Sequence, residues 1–300
     1  MNRSAAEASY AAHERAESAE AEGLQFPTAV TAPGSIDNHR HARMIGMLAG
    51  ELAAAYPDSS WLTVGDGHYG SDAIRLSRHG VRVHASSLTA ATLAISHERG
   101  WISECSAQNA ERLTFPDSSF DFVLCKEAYH HLPRPAVAFY EMLRVARIAV
   151  VLIEPNRRAA TPLGFLRTLV KRATGRAVMA EYEPSGNYIF RLSLPEIIEM
   201  SRAIDIPAVA WRYYNDFYHP RLFHRAAASA TEWALFRTGI FVQDFLCRMG
   251  LMPFGGLSCA VFKAEPTDAV AAALARRGIR LQRLPRNPYL AEAAARGPAE

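Results

Sequence analysis

Three hundred residues, 49% of them hydrophobic, suffice for one large domain with appendages. The 33 Lys and Arg against 30 Asp and Glu leave a net charge of +3 with no run of five or six like charges, so charge calls for no nucleic-acid partner. Four scattered cysteines, Cys105, Cys125, Cys247 and Cys259, exclude a zinc ribbon or disulfide scaffold, and the N-terminus lacks the apolar stretch of a leader or membrane span, so a cytoplasmic protein is expected.

In chain order, residues 1–30 alternate alanine with charge and offer little apolar surface, and are expected to form a flexible tail, either a frayed helix or disordered chain. From Ile36 onward Met44, Met47, Leu48, Leu52 and Ala55 recur at helical spacing, ending before Pro57, because the residue preceding a proline avoids helical geometry. Trp61 to Val64 is a short apolar strand broken at Gly65, and a helix follows from Ser71 to His79 with Gly80 as its stop. The plan repeats with Val81 to Ala85 as strand and Leu88 to Arg99 as helix, closed by Gly100. Phe120 to Cys125 is a further strand. Ala136, Phe139, Tyr140, Leu143 and Ala146 mark a helical face, and Ile148 to Ile153 a fully buried strand.

Strands alternating with helices predict an α/β fold, a Rossmann-like and mostly parallel sheet with helices on both faces. Beyond Pro155 the pattern loosens: 157–180 is arginine-rich and amphipathic, Leu194 to Ala203 reads as a helix, and Val209 to Tyr214 and Leu257 to Phe262 read as strands. A helical insertion at about 215–255 carries Trp233, Phe236, Phe241 and Phe245, an aromatic set read as core. The main domain is expected over 31–265, with 266–300 as a surface extension.

The chemistry starts at Val64-Gly65-Asp66-Gly67-His68-Tyr69-Gly70. Glycine at a strand end lets the chain turn sharply and lets backbone approach a ligand, and the next helix offers unpaired N–H groups. Such a turn suits a nucleotide-like ligand. In dinucleotide-binding folds an acid about 20 positions past the first glycine grips the ribose hydroxyls. Ser86-Ser87 stand there instead, and a serine grips without charge.

Asn109-Ala110-Glu111-Arg112-Leu113-Thr114-Phe115-Pro116-Asp117-Ser118-Ser119-Phe120-Asp121-Phe122-Val123, then Tyr129-His130-His131-Leu132 and Glu141-Met142-Leu143-Arg144-Val145, complete a pattern with that turn. In order and spacing, residues 60 to 155 resemble the class I S-adenosylmethionine-dependent methyltransferases, particularly the "type 11" group acting on small molecules. The resemblance implies S-adenosylmethionine as cofactor, with Gly65, Asp66, Gly67, His68 and Gly70 forming the turn against its methionine part. It sets Ser87 at the ribose, Asn109 and Ala110 at the adenine, and Cys125-Lys126-Glu127 across the sulfonium. The sequence departs from that family at Thr63 and Ser87, where acids are usual, and at Arg147-Ile148-Ala149, where a glycine pair is usual.

A hydroxyl acceptor needs a base with a pKa near neutrality, which His130 and His131 supply, while His68 is a weaker choice. Substrate-facing candidates are Asn38, His39, Arg40 and Arg43, and the run Tyr213-Tyr214-Asn215-Asp216-Phe217-Tyr218-His219. A small hydroxylated metabolite such as a sugar is the expected acceptor. No compact set of carboxylates and histidines calls for a metal, and no feature specifies an oligomeric state. Two alternatives stand. One is an NADP-dependent oxidoreductase, against which no lysine follows a tyrosine by four positions. The other is a degenerate module that kept the fold and lost the chemistry.

Overall fold

The computed structural model describes residues 3–23, 32–157, 169–170, 173–174, 182, 188–217 and 225–290. The amphipathic segment expected over 157–180 lies largely outside them, as do Tyr218, His219 and residues 291–300.

Eight strands form one sheet: β1 (Ser60–Val64), β2 (Arg82–Ser87), β3 (Glu104–Ala107), β4 (Phe120–Lys126), β5 (Ala146–Pro155), β6 (Ala208–Tyr214), β7 (Gly256–Phe262) and β8 (Arg280–Arg283). Their order is β3-β2-β1-β4-β5-β7-β6-β8. The pairs from β3 through β5 are parallel, whereas β7 runs antiparallel to both β5 and β6, and β8 antiparallel to β6. The sheet is thus parallel where the sequence shows βα repeats and reverses beyond Pro155, where those repeats stop. A mixed sheet of this kind is common when an α/β domain grows an antiparallel edge.

The described helices are α1 (Arg3–Glu22), α2 (Ile36–Ala55), α3 (Ser71–Ser77), α4 (Ala91–Glu98), α5 (Pro135–Val145), α6 (Leu194–Ala203), α7 (Ala230–Arg248) and α8 (Asp268–Arg276). Their starts follow local chemistry: the Ser35 hydroxyl accepts from Asp37 N at 3.1 Å, Thr267 caps α8, and Ser229 with Glu232 forms a reciprocal capping box on α7. Strand residues alternate between two apolar layers. Trp61, Phe122, Val151 and Ile153 pack with Met44, Leu48, Leu76 and Leu274, while Leu62, Val123, Val150 and Leu152 pack with Phe139, Met142 and Ile197. Burial on both faces explains why β5 reads as an unbroken apolar run.

Three regions differ from the sequence reading. The expected tail contains α1, a helix of 20 residues that is packed against α4 rather than frayed. The expected surface extension supplies α8 and the edge strand β8, so Val270, Leu274 and Ile279 join the core. In α7, part of the expected insertion, Phe236 is buried with Ile36, but Phe241 and Phe245 are exposed.

Candidate cofactor site

At the C-terminal ends of β1, β2 and β4 the chain encloses a cavity of about 410 Å³. Here the strand order reverses between β1 and β4, the place where open α/β sheets collect ligands. Its floor is the glycine turn. Gly65 has φ +76°, and a Cβ there would lie 2.4 Å from Ala128 Cβ, so no other residue fits without displacing the loop after β4. A Cβ on Gly67 would lie 2.7 Å from Glu17 Oε1 and 2.8 Å from Ser87 Oγ, both of which line the cavity. Gly67 thus borders the cavity as bare backbone, and any side chain there would displace Glu17 and Ser87.

The expected cofactor residues divide by position. Gly65, Gly67, His68, Ser87 and Ala110 line the cavity, and so does His131. Asp66 turns inward: its carboxylate accepts from Asp72 N at 3.0 Å, Ala73 N at 2.8 Å and Thr63 Oγ1 at 3.0 Å, holding the start of α3. Burial and the nearby Asp72 push the Asp66 carboxyl up from its ordinary range. Gly70, left-handed at φ +65°, caps α3 and packs on Ile102 and Leu93. Asn109 uses its Oδ1 to accept from Glu111 N at 2.9 Å, and it is the adjacent Gln108 that reaches the cavity wall. Lys126 lies below the wall, paired with Asp72 at 3.2 Å and Glu127 at 3.3 Å.

The two histidines also separate. Glu154, fully buried on β5, accepts from Ala128 N at 3.0 Å, Tyr129 N at 2.9 Å and His130 Nδ1 at 2.6 Å, fastening the loop after β4. His130 belongs to that clamp, and His131 faces the cavity.

Beside it, Glu127 holds a left-handed backbone at φ +51° in a non-glycine residue, a strain the surrounding contacts must sustain. Burial pushes its carboxyl up, but Lys126 and Arg40 outweigh this and hold it below the usual carboxylate range. Arg40, expected to face substrate, is the hub of this network, meeting Asp216, Asp37 at 2.7 Å and Glu127 at 3.4 Å. Asn38 and Arg43 are likewise engaged internally, with Ala32 O and Asn215 O, and His39 packs on Trp233.

The roof is α1. Tyr10, His13, Glu17 and Glu20, at steps of three and four along one helical face, all line the cavity. His68 Nδ1 meets Glu20 Oε1 at 2.8 Å, Tyr69 OH donates to Glu20 O at 3.0 Å, and the His13 ring meets that of His131 edge-on at 5.8 Å. None of these four was singled out from the sequence, because apolar periodicity cannot detect a polar stripe.

Residues 62–153 match the model of the methyltransferase domain family. No curated protein matches the chain. Among solved structures, the YcgJ protein of Bacillus subtilis is 20% identical with a TM-score of 0.51, over 76% of this chain and 100% of that one. An S-adenosylmethionine-dependent methyltransferase of Methanosarcina mazei is 16% identical with a TM-score of 0.45, over 70% and 95%. The [4+2]-cyclase SpnF is 18% identical with a TM-score of 0.46, over 73% and 81%.

Proposed function

We propose that the S-adenosylmethionine-dependent methyltransferase domain of this chain, residues 62–153, methylates a hydroxyl group of a small molecule admitted beneath α1. The observation that carries the reading is the roofed cavity. A space of about 410 Å³, closed above by Tyr10, His13, Glu17 and Glu20, suits a compact ligand rather than a macromolecular surface.

The residues present fit the cofactor. Gly65 and Gly67 offer bare backbone, Ser87 and Glu17 acceptors, and Gln108 with Ala110 a wall just after β3. When bound, S-adenosylmethionine supplies a sulfonium-activated methyl group. The chain's own contribution is positioning, which can carry most of the rate of such a displacement. The Glu154 clamp holds the loop carrying His131 in one place, and His131 accepts the acceptor's proton. Glu127, kept ionised by Lys126 and Arg40, lines that end of the cavity as a hydrogen-bond acceptor that orients a polar substrate group.

The test is transfer of isotopically labelled methyl to panels of hydroxylated and of amine-bearing small molecules, with the product located by mass spectrometry. Labelled ethers from hydroxyl compounds support the reading, and labelled amines or labelled protein alone overturn it.

A further inference from the structure

We infer that Glu17 of α1 is the ribose-binding carboxylate of this protein, supplied from the N-terminal helix in place of the acid missing at the end of β2; the inference rests on the S-adenosylmethionine reading of the cavity. Glu17 Oε1 accepts from Ser87 Oγ at 2.7 Å, and Oε2 accepts from Thr89 N at 3.0 Å and Thr89 Oγ1 at 2.8 Å. Its carboxylate thus sits one hydrogen bond beyond the side chain that stands where an acid is expected.

Acceptor counting supports the assignment. A carboxylate oxygen has two lone pairs, so Oε2 is filled by its two Thr89 partners while Oε1 keeps one acceptor site. Ser87 spends its proton on Glu17 and keeps an oxygen able to accept. Both oxygens lie within 2.8 Å of the point a Cβ on Gly67 would occupy. Two adjacent acceptors over a bare backbone suit two adjacent hydroxyls, the pattern of a ribose 2′,3′-diol. Serine alone offers no charge, whereas Glu17 makes those bonds charge-assisted.

At Thr63, the other departure, the hydroxyl donates to Asp66 Oδ2 at 3.0 Å within the glycine turn itself, and that carboxylate faces the start of α3, which leaves Glu17 as the carboxylate facing the cavity beside Ser87. The placement also bears on specificity. A 2′-phosphate would meet Glu17 and Glu20 together, which disfavours NADPH by like-charge repulsion.

Calorimetry with S-adenosylhomocysteine on the full chain tests this, comparing wild type, Glu17→Gln and the double variant Glu17→Gln with Ser87→Asp, each checked for an unchanged far-UV spectrum. The expected result is a loss of roughly 10- to 100-fold in affinity for Glu17→Gln, the scale of one or two charge-assisted hydrogen bonds. Recovery of most of it is expected in the double variant, which returns the charge to β2. Wild-type affinity in Glu17→Gln, or tighter binding, makes Glu17 a mere tether of α1 and overturns the inference alone. So does failure of Ser87→Asp to restore binding. A wild type that binds no S-adenosylhomocysteine overturns the cofactor reading and this inference with it.

Discussion

His130 and His131 are chain neighbours with ring centroids 3.9 Å apart, yet the contacts around them assign different tasks. Replacing His130 by alanine removes a hydrogen bond to a fully buried carboxylate and should cost about 1–3 kcal/mol of stability, read as a lower melting temperature. His131→Ala should leave melting nearly unchanged and lower kcat by about 10²- to 10⁴-fold, the range for a lost general base, with a much smaller change in S-adenosylhomocysteine affinity. At Gly67, where a Cβ meets Glu17 and Ser87, valine should abolish S-adenosylhomocysteine binding in calorimetry while the chain still melts cooperatively. The residue types at all three positions were legible in the sequence. Which histidine faces the cavity was not, because it depends on Glu154 reaching across from β5, 24 positions away.

At the scale of elements, α1 shows where pattern reading fails. Its buried contacts with the site are polar, so residues 3–22 carry no apolar stripe to announce a docked helix. The strands β3 and β8 escaped for a related reason: they are short, largely exposed and polar, and exist because a neighbour's edge offers hydrogen bonds. Docking of α1 is tied to pH through His68. The hydrogen bond to Glu20 pushes the His68 imidazole up, against the opposing effect of burial. A histidine raised on docking contributes fully below its free pKa of about 6.5 and loses that contribution as pH rises through the higher docked value. Protease cleavage within α1 should therefore quicken as pH rises from about 6.5 toward 8. His68→Ala, assayed in parallel, should show no such rise beyond the protease's own pH response.

On the scale of the whole molecule, the sheet is fastened at its lower edge by Asp121. It accepts from Ser60 N at 2.8 Å and Ser60 Oγ at 3.1 Å on β1 and from Arg147 on β5, so one carboxylate joins three strands. Burial pushes the Asp121 carboxyl up, but Ser60 and Arg147 more than reverse it and hold it below the usual range. A depressed carboxyl stabilises above its free pKa of about 3.9 and ceases to as pH falls through its folded value. Asp121→Asn should thus melt a few degrees below wild type at pH 7, with the gap closing as pH falls below the free carboxyl value and through the lower folded one. The parallel half of this sheet was legible because strands buried on both faces must be apolar throughout and their helices must show one apolar face. That local requirement placed the glycine turn of β1 and the family resemblance over 60–155. Only the tertiary structure decided that α1 roofs the cavity, that the last strands run antiparallel, and that a carboxylate missing from Ser87 returns on Glu17. Those outcomes depend on backbone and side-chain groups finding distant partners, 72 positions apart for Thr89 and Glu17 and farther for the pairing of Ala149 with Phe262, and such pairings leave no periodic mark on the chain.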